Sequence, residues 1–331
     1  MKILVTGGLG FIGSHTVVEL LNENYDVVVV DNLYNSKEDV AEKIEKITGK
    51  TFKLYKYDLL EKEKLEEIFK ENKIDSVIHF AGYKAVGESV KKPLMYYSNN
   101  LISTINLLEV MQKYEVKNII FSSSATVYGD PGTPKYTENM ERGKTTSPYG
   151  TTKAMIEKML EDLYTSDNSW NITLLRYFNP VGAHESGLIG EEPNGIPNNL
   201  MPYIMKVASG KLEELSVFGN DYPTPDGTGV RDYIHVVDLA KGHVCALDKM
   251  KKGLNVYNLG SGKGVSVLEL IETFKKVNNI DVKYKIVERR AGDLAEYYAD
   301  PSKALKELNW KTEKSLEDIC RDSWNYEKNN M

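Results

Sequence analysis

The chain has 331 residues, of which 42 are basic and 48 acidic, for a net charge of −6. At roughly 150 residues per domain this suffices for two domains, and the acidic balance argues against nucleic acid as the main partner, because phosphate binding needs a concentrated positive field. Two cysteines (Cys245 and Cys320) make no disulfide framework, the five histidines lack metal-binding spacing, and no stretch approaches the roughly 20 apolar residues of a membrane span, so a soluble cytoplasmic protein with no metal and no membrane partner is expected.

Short apolar runs alternate with helical patterns from the start. Lys2–Thr6 reads as a strand, followed by a helix over Gly13–Asn24. The strand Asp26–Asp31 precedes a helix over Lys37–Ile47, and the strand Phe52–Asp58 precedes one over Lys62–Glu71. Strands at Ser76–Gly82 and Lys117–Ser124 bracket a long helix, Ser89–Tyr114; the helix Pro148–Thr165 then leads into a strand over Thr173–Asn179. Most of these strands are nearly continuous in large apolar residues, as strands buried on both faces should be. Phe52–Asp58 alternates with lysines instead, which suits a sheet edge. The rhythm implies an α/β fold, a doubly wound parallel sheet with helices on both faces. After Asn179 the texture changes: Gly182–Pro197 and Asn220–Gly229 are rich in Gly, Pro and Asn, and long loops of this kind commonly carry function. The boundary is therefore placed near 180, with a first domain over 1–180 and a smaller mixed α/β lobe over 181–331.

The first strand runs directly into Gly7-Gly8-Leu9-Gly10-Phe11-Ile12-Gly13, which satisfies both GxGxxG and GxxGxxG. Glycine permits the tight turn, lets the backbone approach a pyrophosphate and lets helix pack close to strand. The helix N-terminus then offers free N–H groups to the phosphates. Asp31 ends the second strand at the position whose carboxylate accepts hydrogen bonds from the adenosine ribose and repels a 2′-phosphate, so NAD is favoured over NADP. The first domain thus reads as a Rossmann-type NAD-binding domain.

The strand Lys117–Ser124 ends in a serine cluster, and carboxyl ends of such strands are where ligands sit. About 25 residues on comes Ser147-Pro148-Tyr149-Gly150-Thr151-Thr152-Lys153. Tyr149 and Lys153 lie four apart and share a helix face. A nearby ammonium is expected to lower the tyrosine pKa towards neutrality and make the phenol a usable acid or base. Among 21 tyrosines Tyr149 alone has lysine four residues on, yet chance would give roughly two such pairs, so the pair gains its meaning from its place after the glycine turn and the serine cluster.

In that order of motifs the chain resembles the extended short-chain dehydrogenase/reductase family, and within it the UDP-hexose 4-epimerases. The resemblance runs over essentially the full length and is most specific at Arg176–His184, Asn198–Tyr203 and Asp226–His235. It implies reversible NAD-dependent epimerisation of UDP-glucose and UDP-galactose at C4 through a 4-keto sugar. Tyr149 would be the acid/base at the 4-hydroxyl, Lys153 would bind the nicotinamide ribose, and Ser124 would hydrogen-bond the same hydroxyl as Tyr149. Beyond Gly7, Gly10, Gly13 and Asp31, it implies cofactor contacts from Phe11, Ile12, Asn32, Asn35, Ser36, Asp58, Leu59, Phe80, Ala81, Lys84, Asn99, Ser122 and Phe178. The second domain would be the UDP-sugar-binding domain. Arginine is scarce, six of the 42 basic residues, and planar bidentate recognition of phosphate prefers it. Arg231 and Arg290 are accordingly assigned to the UDP pyrophosphate, as the resemblance also implies. It further implies Asp293 at the uridine ribose, Asn179, Asn199 and Leu200 at the sugar or phosphate, Val217 and Phe218 at the uracil, and Tyr297 as a gate that crowds an N-acetyl group on the sugar.

Relatives that are 4,6-dehydratases carry an Asp-Glu pair after the serine or threonine, whereas this chain has Ala125-Thr126 there. A UDP-glucuronate decarboxylase and a catalytically silent NAD-binding sensor remain as other readings. The helices Ser89–Tyr114 and Pro148–Thr165 carry apolar residues such as Leu101, Ile105, Leu108, Met155, Ile156 and Met159, most of them expected in the core. Relatives pair these two helices across a two-fold axis, so the resemblance implies a homodimer.

Overall fold

The computed structural model describes residues 1–192, 197, 199–290 and 292–331. Its elements in chain order begin β1 (Lys2–Thr6), α1 (Phe11–Asn22), β2 (Asp26–Val30), α2 (Asp39–Thr48), β3 (Lys53–Tyr55), α3 (Lys62–Glu71), β4 (Ser76–His79), α4 (Val86–Lys91), α5 (Pro93–Lys113) and β5 (Asn118–Ser124). A 3₁₀ turn over Ala125–Tyr128, β6 (Lys135–Tyr136), α6 (Pro148–Ser166), β7 (Asn171–Tyr177) and β8 (Asn179–Val181) follow. The rest comprises α7 (Leu200–Ala208), β9 (Leu215–Phe218), β10 (Val230–Arg231), β11 (Tyr233–His235), α8 (Val236–Asp248) and β12 (Gly253–Leu259). It ends with β13 (Val265–Ser266), α9 (Val267–Asn278), β14 (Tyr284–Val287), β15 (Glu296–Ala299), α10 (Ser302–Leu308) and α11 (Leu316–Asn329).

Two compact units emerge. The first comprises residues 1–129, 141–177 and 240–257, and the second residues 130–140, 178–239 and 258–331. The chain passes from one to the other after Tyr177, and α8 carries it back, so neither unit is one continuous segment.

The first unit is built on a seven-stranded sheet in the order β12-β7-β5-β4-β1-β2-β3. The pairs from β7 to β3 are all parallel. Strands β1, β2 and β4 are almost wholly apolar, and Ile3, Leu4, Val5, Val28, Val29, Val77 and Ile78 are buried, as a sheet covered on both faces requires. The order reverses between β1 and β4, which makes the crevice beyond their carboxyl ends the place where such a sheet binds ligands. Two expected elements come out differently. The strand expected over Phe52–Asp58 shrinks to the three residues of β3 at the sheet edge, and the Asp58 carboxylate turns the chain beyond it by accepting from Leu60 N at 2.9 Å. The helix expected over Ser89–Tyr114 is two helices. Pro93 starts α5, and Lys92 before it has φ −132° and ψ 57°, the extended bias that proline imposes on its predecessor.

The second unit holds a four-stranded sheet, β13-β10-β15-β6, and two two-stranded ones, β11-β8 and β14-β9. Its core gathers Met201 and Ile204 of α7, Leu270, Ile271 and Phe274 of α9, and Ile319 and Trp324 of α11. Helices α9 and α11 start at capping boxes, Ser266 with Glu269 and Ser315 with Asp318, which satisfy first-turn N–H groups from both sides. Among the described residues no helix is long and apolar enough to cross a membrane.

Candidate active site

The glycine turn of the first unit shows why it needs glycine. Gly7 has φ +68°, and a Cβ there would lie 2.9 Å from Ala81 N; one on Gly13 would lie 2.2 Å from the Gly7 carbonyl oxygen. Gly10 is the N-cap of α1 and no side chain caps this end, so the first-turn amides face the turn beside β1 with the positive end of the helix dipole. A side chain at Gly7 or Gly13 would collide with neighbouring backbone, so the turn keeps this shape only with glycine there.

Asp31 sits just past β2 and is buried. Its Oδ2 accepts from Leu9 N at 3.0 Å, and its Oδ1 accepts from Leu33 N at 2.9 Å and from the Ser36 hydroxyl at 2.7 Å. One carboxylate thus ties the glycine turn to the loop after β2, and with about four acceptor positions it keeps capacity for a further donor. Beyond it opens a cleft lined by Gly7, Asp31, Asn32, Asn35, Ser36, Asp58, Leu59, Phe80, Ala81 and Asn99, ten of the expected cofactor residues. Asn32 donates to Asp58 at 2.8 Å across it. Lys84 holds its ammonium 5.4 Å from the centre of the Phe11 ring. The cleft is also lined by Tyr34, Tyr57 and Tyr83, which the sequence reading does not single out. Tyr34 and Tyr83 pack ring to ring at 4.5 Å. No short-range spacing marks these tyrosines; they meet because β2, β3 and β4 end at one edge.

The expected acid/base group lies on β5 and α6. Ser147 caps α6 by accepting from Gly150 N at 3.2 Å, and Pro148 at the first helical position pre-sets its backbone. Ser89 of α4 accepts from Tyr149 N at 3.2 Å and so fixes the start of the helix from outside it. Lys153 is buried and donates to the Ser122 carbonyl at 2.6 Å, with its ammonium 4.8 Å from the centre of the Phe121 ring and 5.9 Å from that of Tyr149. Ser124 accepts from Thr126 N at 3.2 Å and from the Thr126 hydroxyl at 3.0 Å. A hydroxyl has two acceptor positions and one proton. With both acceptor positions filled by Thr126, the Ser124 proton is left to turn towards Tyr149, whose phenolate form Ser124 favours. Thr126, absent from the expected set, therefore sets the polarity of this contact.

The charge balance differs from the sequence expectation. Burial pushes the Tyr149 phenol up to about 12, with Ser124 opposing it, and Lys153 does not bring it towards neutrality. The Lys153 ammonium is spent on the Ser122 carbonyl, and burial pulls it down to about 8. Tyr149 is a half-buried side chain.

The second unit gathers most of the expected substrate residues in two groups. In the first, Arg231 and Tyr297 are register partners on β10 and β15, with the guanidinium 4.6 Å from the ring centre. Arg231 donates to Val230 O at 2.8 Å and lies 3.5 Å from Asp293. The Tyr297 hydroxyl donates to Asn179 Oδ1 at 3.4 Å, and Asn179 donates to Asp232 O at 3.0 Å. Phe178, expected at the cofactor, belongs to this unit and packs between Tyr136 and Tyr297, at 6.0 and 6.2 Å. In the second group Arg290 stands 3.9 Å over the Phe218 ring. Val217 turns the other way, into the core. Asn199 donates to Glu191 at 3.1 Å as the residue before α7, and Leu200 packs against the core. Asn198 lies outside the described residues. Among the described residues no group of His, Cys, Asp and Glu could hold a metal.

With this geometry in view, the relatives are informative. The chain is 59% identical to the UDP-glucose 4-epimerase of Bacillus subtilis over 100% of its length and 98% of that protein. It is 60% identical to that of Haemophilus influenzae, with the same coverage. The chain belongs to the UDP-glucose 4-epimerase family. A solved UDP-glucose 4-epimerase from Bifidobacterium longum, in complex with NAD+ and UDP, superposes with a TM-score of 0.96 at 57% identity, covering 100% of this chain and 99% of that one. The GDP-mannose 4,6 dehydratase family model also matches, over residues 4–323, and places the chain among the extended short-chain dehydrogenases.

Proposed function

We propose that the protein is an NAD-dependent enzyme that interconverts UDP-glucose and UDP-galactose at C4. The observation that carries this reading is the Ser124–Tyr149 contact, whose polarity Thr126 fixes, standing over a buried Lys153 in the unit that carries the dinucleotide cradle. NAD fits that cradle: α1 and the glycine turn take the pyrophosphate, Asp31 the adenosine ribose, and Phe80, Ala81, Lys84 and Asn99 contribute to the rest of its site. When bound, NAD would supply the hydride acceptor, and in its reduced form the hydride donor, for C4 of the sugar.

The protein's own residues handle the proton. Tyr149, in its phenolate form, takes it from the 4-hydroxyl and gives it back, and Ser124 donates to the phenolate oxygen and so stabilises that charge against the burial that opposes it. The buried Lys153 ammonium adds positive charge on the same helix face and binds the nicotinamide ribose. The second unit supplies recognition. Arg231 and Arg290 take the pyrophosphate, Asp293 the uridine ribose, Phe218 the uracil, and Asn179 and Asn199 the sugar side. Tyr297, held against Tyr136 with centroids 5.8 Å apart and planes at 18°, restricts the space for a sugar 2-substituent, so N-acetylhexosamines are poor substrates. Tight binding of UDP with looser contacts to the hexose lets the sugar turn between the two half-reactions.

The exposed apolar side chains Leu94, Ile102, Ile105 and Met155 of α5 and α6 support a homodimer formed through this helix pair. Light scattering at micromolar concentration should give twice the chain mass. The function itself is tested by incubating the purified protein with UDP-galactose and no added reductant. UDP-glucose should appear and NAD should co-purify; a 6-deoxy-4-keto product would make the enzyme a dehydratase instead.

A further inference from the structure

Beneath the acid/base group lies a buried charge network that the chemistry above does not use. Glu157 sits one turn after Lys153 on α6 and is fully buried. Its Oε1 accepts from the Ser123 hydroxyl at 2.5 Å and from Arg176 Nε at 2.9 Å, and its Oε2 accepts from Arg176 Nη2 at 2.7 Å. Arg142 reaches Oε2 at 3.4 Å and forms a bidentate pair with Glu161. Arg176 stacks 4.6 Å over Tyr128 and is the register partner of Ser123 on the neighbouring strand.

The connectivity is specific. Ser123 lies between Ser122, whose carbonyl holds Lys153, and Ser124, which holds Tyr149. Strand alternation puts the Ser123 side chain on the face opposite its two neighbours, where α6 packs and Glu157 waits. A carboxylate held by two arginines and a serine has no need of a lysine for its own stability. Lys153, by contrast, is buried and gains from a carboxylate one turn away.

We propose that Glu157 is a positioning residue for the reaction: it keeps Lys153 charged and, through Ser123, seats the end of β5 that carries the Lys153 and Tyr149 contacts. The inference rests on the reading of Tyr149 and Lys153 as the reacting group. The groups around Lys153 leave this work to Glu157. His79 of β4 faces it, but burial and the lysine itself hold that imidazole down to about 3, so it is neutral between Thr6 at 2.8 Å and Thr104 at 2.9 Å. Phe121 and the Ser122 carbonyl from β5 and the Tyr149 phenol from α6 carry no negative charge at neutral pH. Arg176 of β7 and the Arg142 loop face the carboxylate of Glu157 rather than the ammonium. Glu157 raises Lys153 against the burial that lowers it.

The test is the pH dependence of kcat and KM for UDP-galactose with the intact enzyme as purified. In Glu157→Gln the alkaline fall of kcat should begin about one pH unit lower than in the unchanged protein, a tenfold difference in proton concentration. KM should stay within about twofold, and kcat should recover towards the unchanged value on the acid side. Ser123→Ala keeps the carboxylate and its arginine, so it should lower kcat several-fold at every pH and leave the fall where it was. Should Glu157→Gln fail to fold because Arg176 is left unpaired, the double variant Glu157→Leu with Arg176→Met removes both charges, and a smaller displacement in the same direction is expected of it, because the opposing arginine charge goes too. An unmoved alkaline fall in whichever of these variants folds overturns the inference, as does an equal displacement in Ser123→Ala. Lys153→Met and Tyr149→Phe separate this from failure of the underlying reading: if they turn over at the unchanged rate, the site itself is misassigned.

Discussion

Lys153 and Tyr149 are one turn apart on a single helix, and each is fixed by groups that are themselves fixed: Ser122 by its strand, Ser124 by Thr126, the helix start by Ser147 and Ser89. Arg290 is exposed on a loop, its guanidinium resting over Phe218, and Arg231 stands 4.6 Å from the centre of the Tyr297 ring with a weak ion pair to Asp293 at 3.5 Å. The first region gives up solvation to hold a proton-transfer geometry. The second holds its arginines against aromatic rings, Arg290 exposed over Phe218 and Arg231 largely buried against Tyr297, as the proposed phosphate contacts require. The contrast teaches that changes in the first region should act on turnover, while changes in the second should act on affinity.

The sharpest way to break that contrast is Tyr149→Phe. It should lower kcat by about 10³-fold, within the range of general acid–base catalysis, while UDP binding measured by calorimetry stays within about threefold. Comparable losses in both quantities would merge the two regions into one. Arg231→Ala should do the reverse, raising KM for UDP-galactose by roughly 10- to 100-fold, the worth of a charge-assisted hydrogen bond or two, with kcat changed far less. A steady-state comparison with Arg290→Ala should show the same direction and a smaller size, because that side chain is the more exposed of the two.

Lys153→Met sharpens the comparison from the side of stability. In the unfolded chain a lysine titrates near 10.4, and in this fold Lys153 is pulled down to about 8. Below pH 8 both states are protonated and the folded one carries the full cost of a buried ammonium. Between pH 8 and about 10.4 the unfolded chain binds more protons, so this group's contribution to stability rises with pH. The methionine variant should thus be more stable than the unchanged protein at pH 7, by about 2 kcal/mol after the loss of the Ser122 hydrogen bond. Its advantage should fade towards pH 10, as followed by denaturant unfolding, while turnover is lost. A variant less stable at pH 7 would mean that the lysine supports the fold and that function costs nothing here. The smallest effect is expected from Tyr34→Phe in the cofactor cleft, which keeps the ring packing against Tyr83 and should change NAD retention by about twofold at most.

Much of this molecule was legible in local spacing. The βαβ order, the glycine turn and Asp31 depend on residues close in sequence, and so does the Tyr149–Lys153 pair, because a helix repeats every 3.6 residues whatever surrounds it. Ser124 was legible as a strand end. The sign of the charge effect on Tyr149 was not, since it turns on where the Lys153 ammonium points and how far burial desolvates the phenol.

Sequence by itself determined the alternation of strands and helices, the glycine turn and the candidates for proton transfer, because periodicity, glycine sterics and side-chain chemistry are properties of short segments. Only the tertiary structure decided that Glu157 meets Ser123 and Arg176 near Lys153, that Phe178 joins the second unit, and that three tyrosines edge the cofactor cleft. Those contacts depend on strand register and on how deeply packing removes each group from water, and neither quantity exists until distant segments have come together.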